Sequence, residues 1–202
     1  EAGADVVSVS GAHDALLANG IVPRYHIECD PRPHKADNIE KAHPAVEYLL
    51  ASCIHPRVID KTLAATDNVR LWHVAQQEHT IRLVDTLHES RETIISGGGS
   101  VGLRAIPVLY AYGYRDFAIF AMDCSFADDG AQWAGKHAGK KKDEVPVRCG
   151  DRIFKTSPIL LSYACGFFDT VQRAPGVTYE LFGDGLLQEM ARLYTMDALE
   201  AA

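Results

Sequence analysis

Residues 94–126, "IISGGGSVGLRAIPVLYAYGYRDFAIFAMDCSF", decide how the chain is read. A short apolar run ends in three glycines and a serine. A helix-like run follows over 102–113, and an apolar run over 116–123 closes on Asp123. Strand, glycine turn, helix and strand are the repeating unit of an α/β domain with a parallel sheet. Gly113 stops the helix, and Pro107 inside it is expected to kink it or shorten its hydrogen bonding. The run 116–123 has the composition of a strand buried on both faces. The turn itself has two readings. Backbone N–H groups at a helix N-terminus favour an anion, and glycines let a phosphate approach the backbone. Alternatively, Ser100 is the N-cap of a tight strand-to-helix turn. The spacing is neither GxGxxG nor GxxxxGK[ST], so it does not choose between them.

The same alternation extends outward. Towards the N-terminus, strands are predicted over 5–10, 25–30, 46–52, 68–74 and 93–96, with helices over 12–20 and 55–65 and a polar helix or loop to about residue 90. Pro31 and Pro33 are expected to halt regular structure after Asp30. Towards the C-terminus, residues 124–150 are glycine-rich, charged and aperiodic, as expected of a long functional loop. "VRCGDRIFKTS" reads as a hairpin turning at Gly150–Asp151. Thr156 or Ser157 before Pro158 starts a helix, and a last strand, "VTYELFG", and a last helix, "GLLQEMARLYTM", follow. The predicted fold is therefore α/β, a Rossmann-like three-layer domain with a mainly parallel sheet. The expected organisation is one domain over 1–202: a nucleotide-binding core over 1–123, a loop and hairpin insertion over 124–156, and a helix–strand–helix end over 157–202.

Composition narrows the function classes. The 202 residues suffice for a sizeable core, and 47% hydrophobic with 23% charged residues is ordinary for a globular chain. A net charge of −7 argues against a nucleic-acid surface. No apolar run approaches the ~18 residues of a membrane span. Five cysteines with no CxxC spacing read as reduced thiols of a cytoplasmic protein. The chain opens without an initiator methionine, and "EAGADVVSVSG" runs almost at once into a strand, as a piece of a longer protein would.

In parallel sheets ligands bind beyond the carboxyl ends of the strands. Ser10–Gly11, Asp30–Pro31–Arg32 and Asp123–Cys124–Ser125 all fall at such ends, and so does the glycine turn. Asp30 and Asp123 are candidates for a Mg²⁺ ligand or a ribose contact, because hard cations take oxygen ligands and share them with phosphates. They could equally be a turn aspartate and a solvated loop residue. "GKHAGKKKD" (135–143) could close over phosphates with His137 as general base, or could be solvated surface. His13 and His34 follow strand ends and are weaker candidates. His26, His73 and His88 are scattered, Cys53 with His55 is a thin basis for zinc, and no GxSxG supports a nucleophilic serine.

The ordered set "LLANGIVPRYHIECDPRP", "YLLASCIHPRVIDK", "GGGSVGLRAIPVLYAYGYRDFAIFAMDCSF" and "RIFKTSPILLSY" resembles the MptE-like 6-hydroxymethylpterin diphosphokinase domain. That domain is shared with bacterial Maf (motility accessory factor) glycosyltransferases. The glycine–serine segment is also similar to sialyltransferases that use CMP-sialic acid. The resemblance runs over residues 5–190. It implies that Gly98, Gly99 and Ser100 hold donor phosphate or ribose, that Asp30 matches the family's aspartate after its NGI.PDY-like run, and that Asp123 matches the aspartate closing the strand after the helix. With Gly97, Ser10 and Gly11 these are the nucleotide-binding candidates, and Mg²⁺ is a candidate cofactor at Asp30 and Asp123. It also implies a preceding strand and a GxGPSL-like loop, neither of which is found in this sequence, so the fold is expected to lack them.

The implied function is a transferase with a nucleotide-activated donor, with Asp123 and His137 as the catalytic candidates. Glycosyl transfer of the Maf and sialyltransferase kind is preferred. The alternatives are Mg-dependent pterin diphosphokinase chemistry from ATP, and a non-catalytic nucleotide-binding accessory module. The expected partner is the small-molecule donor. No nucleic acid and no membrane span are expected, the acceptor is open, and a homo-oligomer is allowed.

Overall fold

The computed structural model of the chain describes residues 3–75, 78–88, 92, 94–127 and 143–200. Its contacts divide it between Gly97 and Gly98 into two compact units.

The first unit is a parallel sheet of five strands in the order β1-β2-β3-β4-β5: β1 (Val7–Val9), β2 (Tyr25–Glu28), β3 (Glu47–Ala51), β4 (Val69–Val74) and β5 (Ile94–Ile95). Helices α1 (Ala12–Ala18), α2 (Pro56–Leu63) and α3 (Glu78–His88) lie between them in sequence. This is the mainly parallel, Rossmann-like α/β arrangement that the alternation predicted. The register pairs Val7 with Tyr25, Tyr25 with Glu47, and Tyr48 with Val69.

Between β2 and β3 the prolines do not simply break structure. Pro33–Asn38 is a 3₁₀ helix, with Pro33 at its first turn, where a missing N–H costs nothing. Its Ala36, with Ile39 and Ala42, joins Val46 just before β3, Tyr48 and Leu50 of β3, and Ile54 and Val58 of the next connection in one core.

Every residue of β2 is buried, including two polar ones. His26 and Glu28 point to the same face, because side chains alternate along a strand. Ser8 Oγ donates to the Tyr25 carbonyl at 3.3 Å, so it accepts from His26 Nδ1 at 2.9 Å. This leaves His26 Nε2 a bare, buried acceptor. Burial, followed by the charge of His13, lowers the His26 pKa to about 3, so the ring stays neutral. His13, on α1, sits 4.9 Å from the His26 ring and is held between Asp14 Oδ1 (2.6 Å) and the Tyr48 hydroxyl (2.8 Å).

The second unit comprises α4 (Val101–Ala111), β6 (Asp116–Phe120), the hairpin β7 (Val145–Cys149) and β8 (Arg152–Thr156), α5 (Pro158–Gln172), β9 (Thr178–Phe182) and α6 (Leu186–Glu200). The hairpin turns at Gly150–Asp151 as expected, and Ser157 caps α5 by accepting from Leu160 N. Pro107 is accommodated inside α4.

One expectation is overturned: β6 is not buried on both faces. Among the described residues it pairs in parallel with β9 only, and its residues alternate between half-buried and exposed. Phe117, Ile119, Tyr179 and Leu181 pack inward on Leu103 and Ile106 of α4 and on Phe167 of α5. Phe120 and Phe182 stack on the outer face with ring centroids 4.4 Å apart. The strand also stops at Phe120 instead of reaching Asp123, because Ala121 turns to a left-handed φ of 57°.

Candidate functional site

Two groups of candidate residues are placed, one in each unit. In the first, Ser10 and Asp30 follow β1 and β2 at the carboxyl edge of the sheet. Ser10 adopts a φ of 48°, unusual for a residue with a side chain. Its hydroxyl accepts from Lys35 Nζ at 3.0 Å and Asn38 Nδ2 at 3.3 Å, both on the 3₁₀ helix. Gly11 precedes α1 as its N-cap residue but gives no side-chain cap.

Asp30 closes a turn on itself. Its Oδ1 accepts from Arg32 N at 3.1 Å and Arg32 Nε at 2.9 Å, and Lys35 Nζ lies 3.5 Å from Oδ2. Burial alone would raise the carboxyl's pKa. The hydrogen bonds from Arg32 and the charges of Lys35 and Arg32 outweigh it and hold the pKa at about 2. Glu28, two residues earlier, caps the same bend: its Oε1 accepts from Cys29 N and Asp30 N at 3.0 and 3.1 Å. This role for Glu28 was not legible in the sequence, because a side-chain cap on a bend two residues on has no spacing signal.

In the second unit the glycine turn meets α4. Ser100 Oγ accepts from Leu103 N at 3.2 Å, so the N-cap reading holds. Gly98 does more than bend. At a φ of 71° it lies so close to the helix that a Cβ would stand 2.6 Å from Arg104 N and 2.8 Å from Leu103 C. Its carbonyl accepts from the Arg104 guanidinium at 2.9 Å. Gly99 passes under the Tyr163 ring, and Gly97, at a φ of 98°, ends the first unit. The backbone thus packs tightly against the helix start.

Asp123 is half-buried where the chain leaves β6. Its carbonyl accepts from Leu187 N at 3.1 Å, and its Oδ1 lies 2.5 Å from where a Cβ on Gly183 would be. Its carboxylate is therefore turned towards the loop that follows β9. His137 lies outside the described residues.

Magnesium was expected at Asp30 and Asp123. Asp30 already serves two cationic side chains, and Asp123 lies against a glycine loop. Among the described residues no three His, Cys, Asp or Glu groups gather as a metal site. No step of the chemistry below is assigned to a Mg²⁺ ion.

The structure also joins two residues that the sequence left unconnected. Ser52 Oγ lies 2.8 Å from His73 Nδ1, at the carboxyl ends of β3 and β4. The available signal was that both close adjacent predicted strands, one ending at residue 52 and the other at 74.

A Rossmann-like α/β fold with a glycine–serine turn opening a helix sets the class of the protein. The family model described as "6-hydroxymethylpterin diphosphokinase MptE-like" matches residues 2–129, and the chain belongs to this MptE-like family. A solved structure of Maf glycosyltransferase from Magnetospirillum magneticum is similar over 96% of this chain, with a TM-score of 0.67 and 15% identity. That likeness is one of fold, and this chain spans 33% of that protein's chain. No curated protein matches. The family and its Maf relationship are those that the sequence resemblance named. Among the described residues no helix is long and apolar enough to cross a membrane.

Proposed function

We propose that the chain serves a transferase that uses a nucleotide-activated donor, with glycosyl transfer as its chemistry. The reading is carried by the way Gly98 wraps the start of α4. Only a residue without Cβ fits there, and the first-turn N–H groups of a helix are the donors that a phosphate would take. In glycosyl transfer the bond from sugar to phosphate breaks as an acceptor oxygen attacks. Charge then develops on the departing phosphate, and fixed backbone donors at a helix start stabilise it most as it leaves. Ser100 holds the helix start in shape and can turn its own O–H to the ligand. Within the first unit, and by themselves, Ser10, Gly11 and Asp30 are proposed as nucleotide contacts by their place at the carboxyl ends of β1 and β2, with Lys35 and Arg32 beside Asp30.

The family's own description favours a second reading, diphosphoryl transfer from ATP to a pterin. A thermal-shift panel separates the two: CMP, CTP, CMP-sialic acid, UDP, GDP and ATP, each with and without Mg²⁺. A ligand at ~100 times its Kd stabilises by about 2.7 kcal/mol, a clear shift. Response to cytidine nucleotides supports sugar transfer, and response to ATP only with Mg²⁺ supports diphosphoryl transfer. Binding without turnover of any donor would favour an accessory module. No shift with any nucleotide would refute a nucleotide-binding role for this chain.

A further inference from the structure

We propose that Ser52 is a nucleophilic serine with His73 as its base, able to open activated esters independently of the nucleotide chemistry above. β3 and β4 are parallel neighbours with Ala51 opposite Trp72, and the Ser52 N–H donates to the Trp72 carbonyl at 2.8 Å. That register sets the side chains of Ser52 and His73 together where ligands of parallel sheets bind. Ser52 Oγ is 2.8 Å from His73 Nδ1, and the other ring nitrogen faces Glu92 Oε2 at 3.9 Å. A hydroxyl on a base, with the base oriented by a third group, is the arrangement that activates a serine.

Exposure agrees with these roles. Ser52 is exposed, whereas His73 behind it is 8% exposed, so a substrate reaches the hydroxyl before the ring. The unit holds a second serine–histidine pair for contrast. Ser8 and His26 lie 2.9 Å apart, but both are 0% exposed and Ser8 gives its proton to a backbone carbonyl. Only the Ser52 pair can meet a ligand.

The chemistry balances within the pair and its substrate. Ser52 Oγ attacks the ester carbonyl carbon, an Oγ–C bond forms, and the Oγ proton passes to His73 Nδ1. The C–O bond to the alcohol then breaks, and His73 returns the proton to the departing oxygen. Water hydrolyses the acyl-serine by the same route. Glu92 is a positioning residue that favours the imidazolium formed in transit.

A fluorophosphonate probe tests this on the full chain. Its phosphorus takes the Ser52 oxygen, the P–F bond breaks, fluoride leaves, and His73 Nδ1 receives the proton. The expected result is a single adduct that peptide mass spectrometry maps to Ser52. His73→Gln should label at least ~100-fold more slowly, the usual worth of a general base. Glu92→Gln should label several-fold more slowly, with an unchanged circular dichroism spectrum. An unlabelled Ser52 in the wild-type chain, or an equal rate in His73→Gln, overturns the proposal. The mapping needs no variant, so a substitution that fails to fold does not remove the test.

Discussion

Asp123 and Gly185 touch backbone to backbone: a Cβ built on Gly185 would stand 2.3 Å from the Cβ of Asp123 and 2.5 Å from its carbonyl oxygen. Neither contact can relax by a side-chain rotation. Gly185→Ala should therefore destabilise the second unit by about 1–3 kcal/mol, in the range of overpacked cores. Gly166→Ala is the control. It lies within α5, where a Cβ would meet only Leu103 Cδ1 at an ordinary 3.6 Å, and it should be neutral or gain up to ~1 kcal/mol from helix propensity. Thermal melts of the two variants measure both effects.

At Ser100, the capping and nucleotide-binding roles make opposite demands. Ser100→Ala should lower stability by about 1 kcal/mol whether or not a nucleotide binds, because the Leu103 N–H loses its acceptor. Ser100→Asp keeps a capping oxygen and suits the helix dipole, so stability should hold, yet it brings a negative charge to the proposed phosphate position. Nucleotide affinity should fall at least ~10-fold in Ser100→Asp. Calorimetric titration beside a thermal melt decides this, and unchanged affinity would place the phosphate elsewhere.

Acid should weaken the fold in two stages. His26, whose pKa falls from 6.5 unfolded to about 3 folded, binds fewer protons in the native state. Its contribution is complete above pH 6.5 and drains away as pH falls towards 3, at up to about 1.4 kcal/mol per pH unit. Urea unfolding at pH 7, 6, 5 and 4 should show this slope, and His26→Asn should flatten it by about one proton.

Asp30 supplies the second stage. Its carboxyl is lowered from 3.8 to about 2, so its contribution is present above pH 3.8 and is lost as pH falls through about 2. Asp30→Asn should cost about 1.5–3 kcal/mol at pH 7, the worth of hydrogen bonds to a charged group, and the gap from wild type should narrow below pH 3.8 and close as pH falls through about 2. A gap that persisted at low pH would mean that packing, not charge, holds the bend.

Local signals were legible in the sequence and distant ones were not. Ser157 before Pro158 and Ser100 after three glycines announce their helices because a cap needs only its own turn. The parallel strands were visible as apolar runs between helices. The two faces of β6 were not, because an apolar run does not say how many neighbours will cover it. The 3₁₀ helix was hidden by prolines that read as breaks. Ser52 and His73 are 21 residues apart, and His13 and Tyr48 are 35 apart. Only strand register and helix docking bring such residues together, so no spacing rule could join them.

The pairing of β6 with β9 also sets a time order for folding. In the first unit, neighbours such as Ser8 and His26 are 18 residues apart, and each strand finds the next after one short crossover. Asp116 and Thr178 are 62 residues apart, and the hairpin and α5 lie between them in the chain. Closing so long a loop costs chain entropy before any contact repays it, and such contacts slow the search. The second unit should therefore mature later than the first. As the chain leaves the ribosome, β6 must wait with an unpaired edge until β9 arrives, a window in which a chaperone would have most to protect.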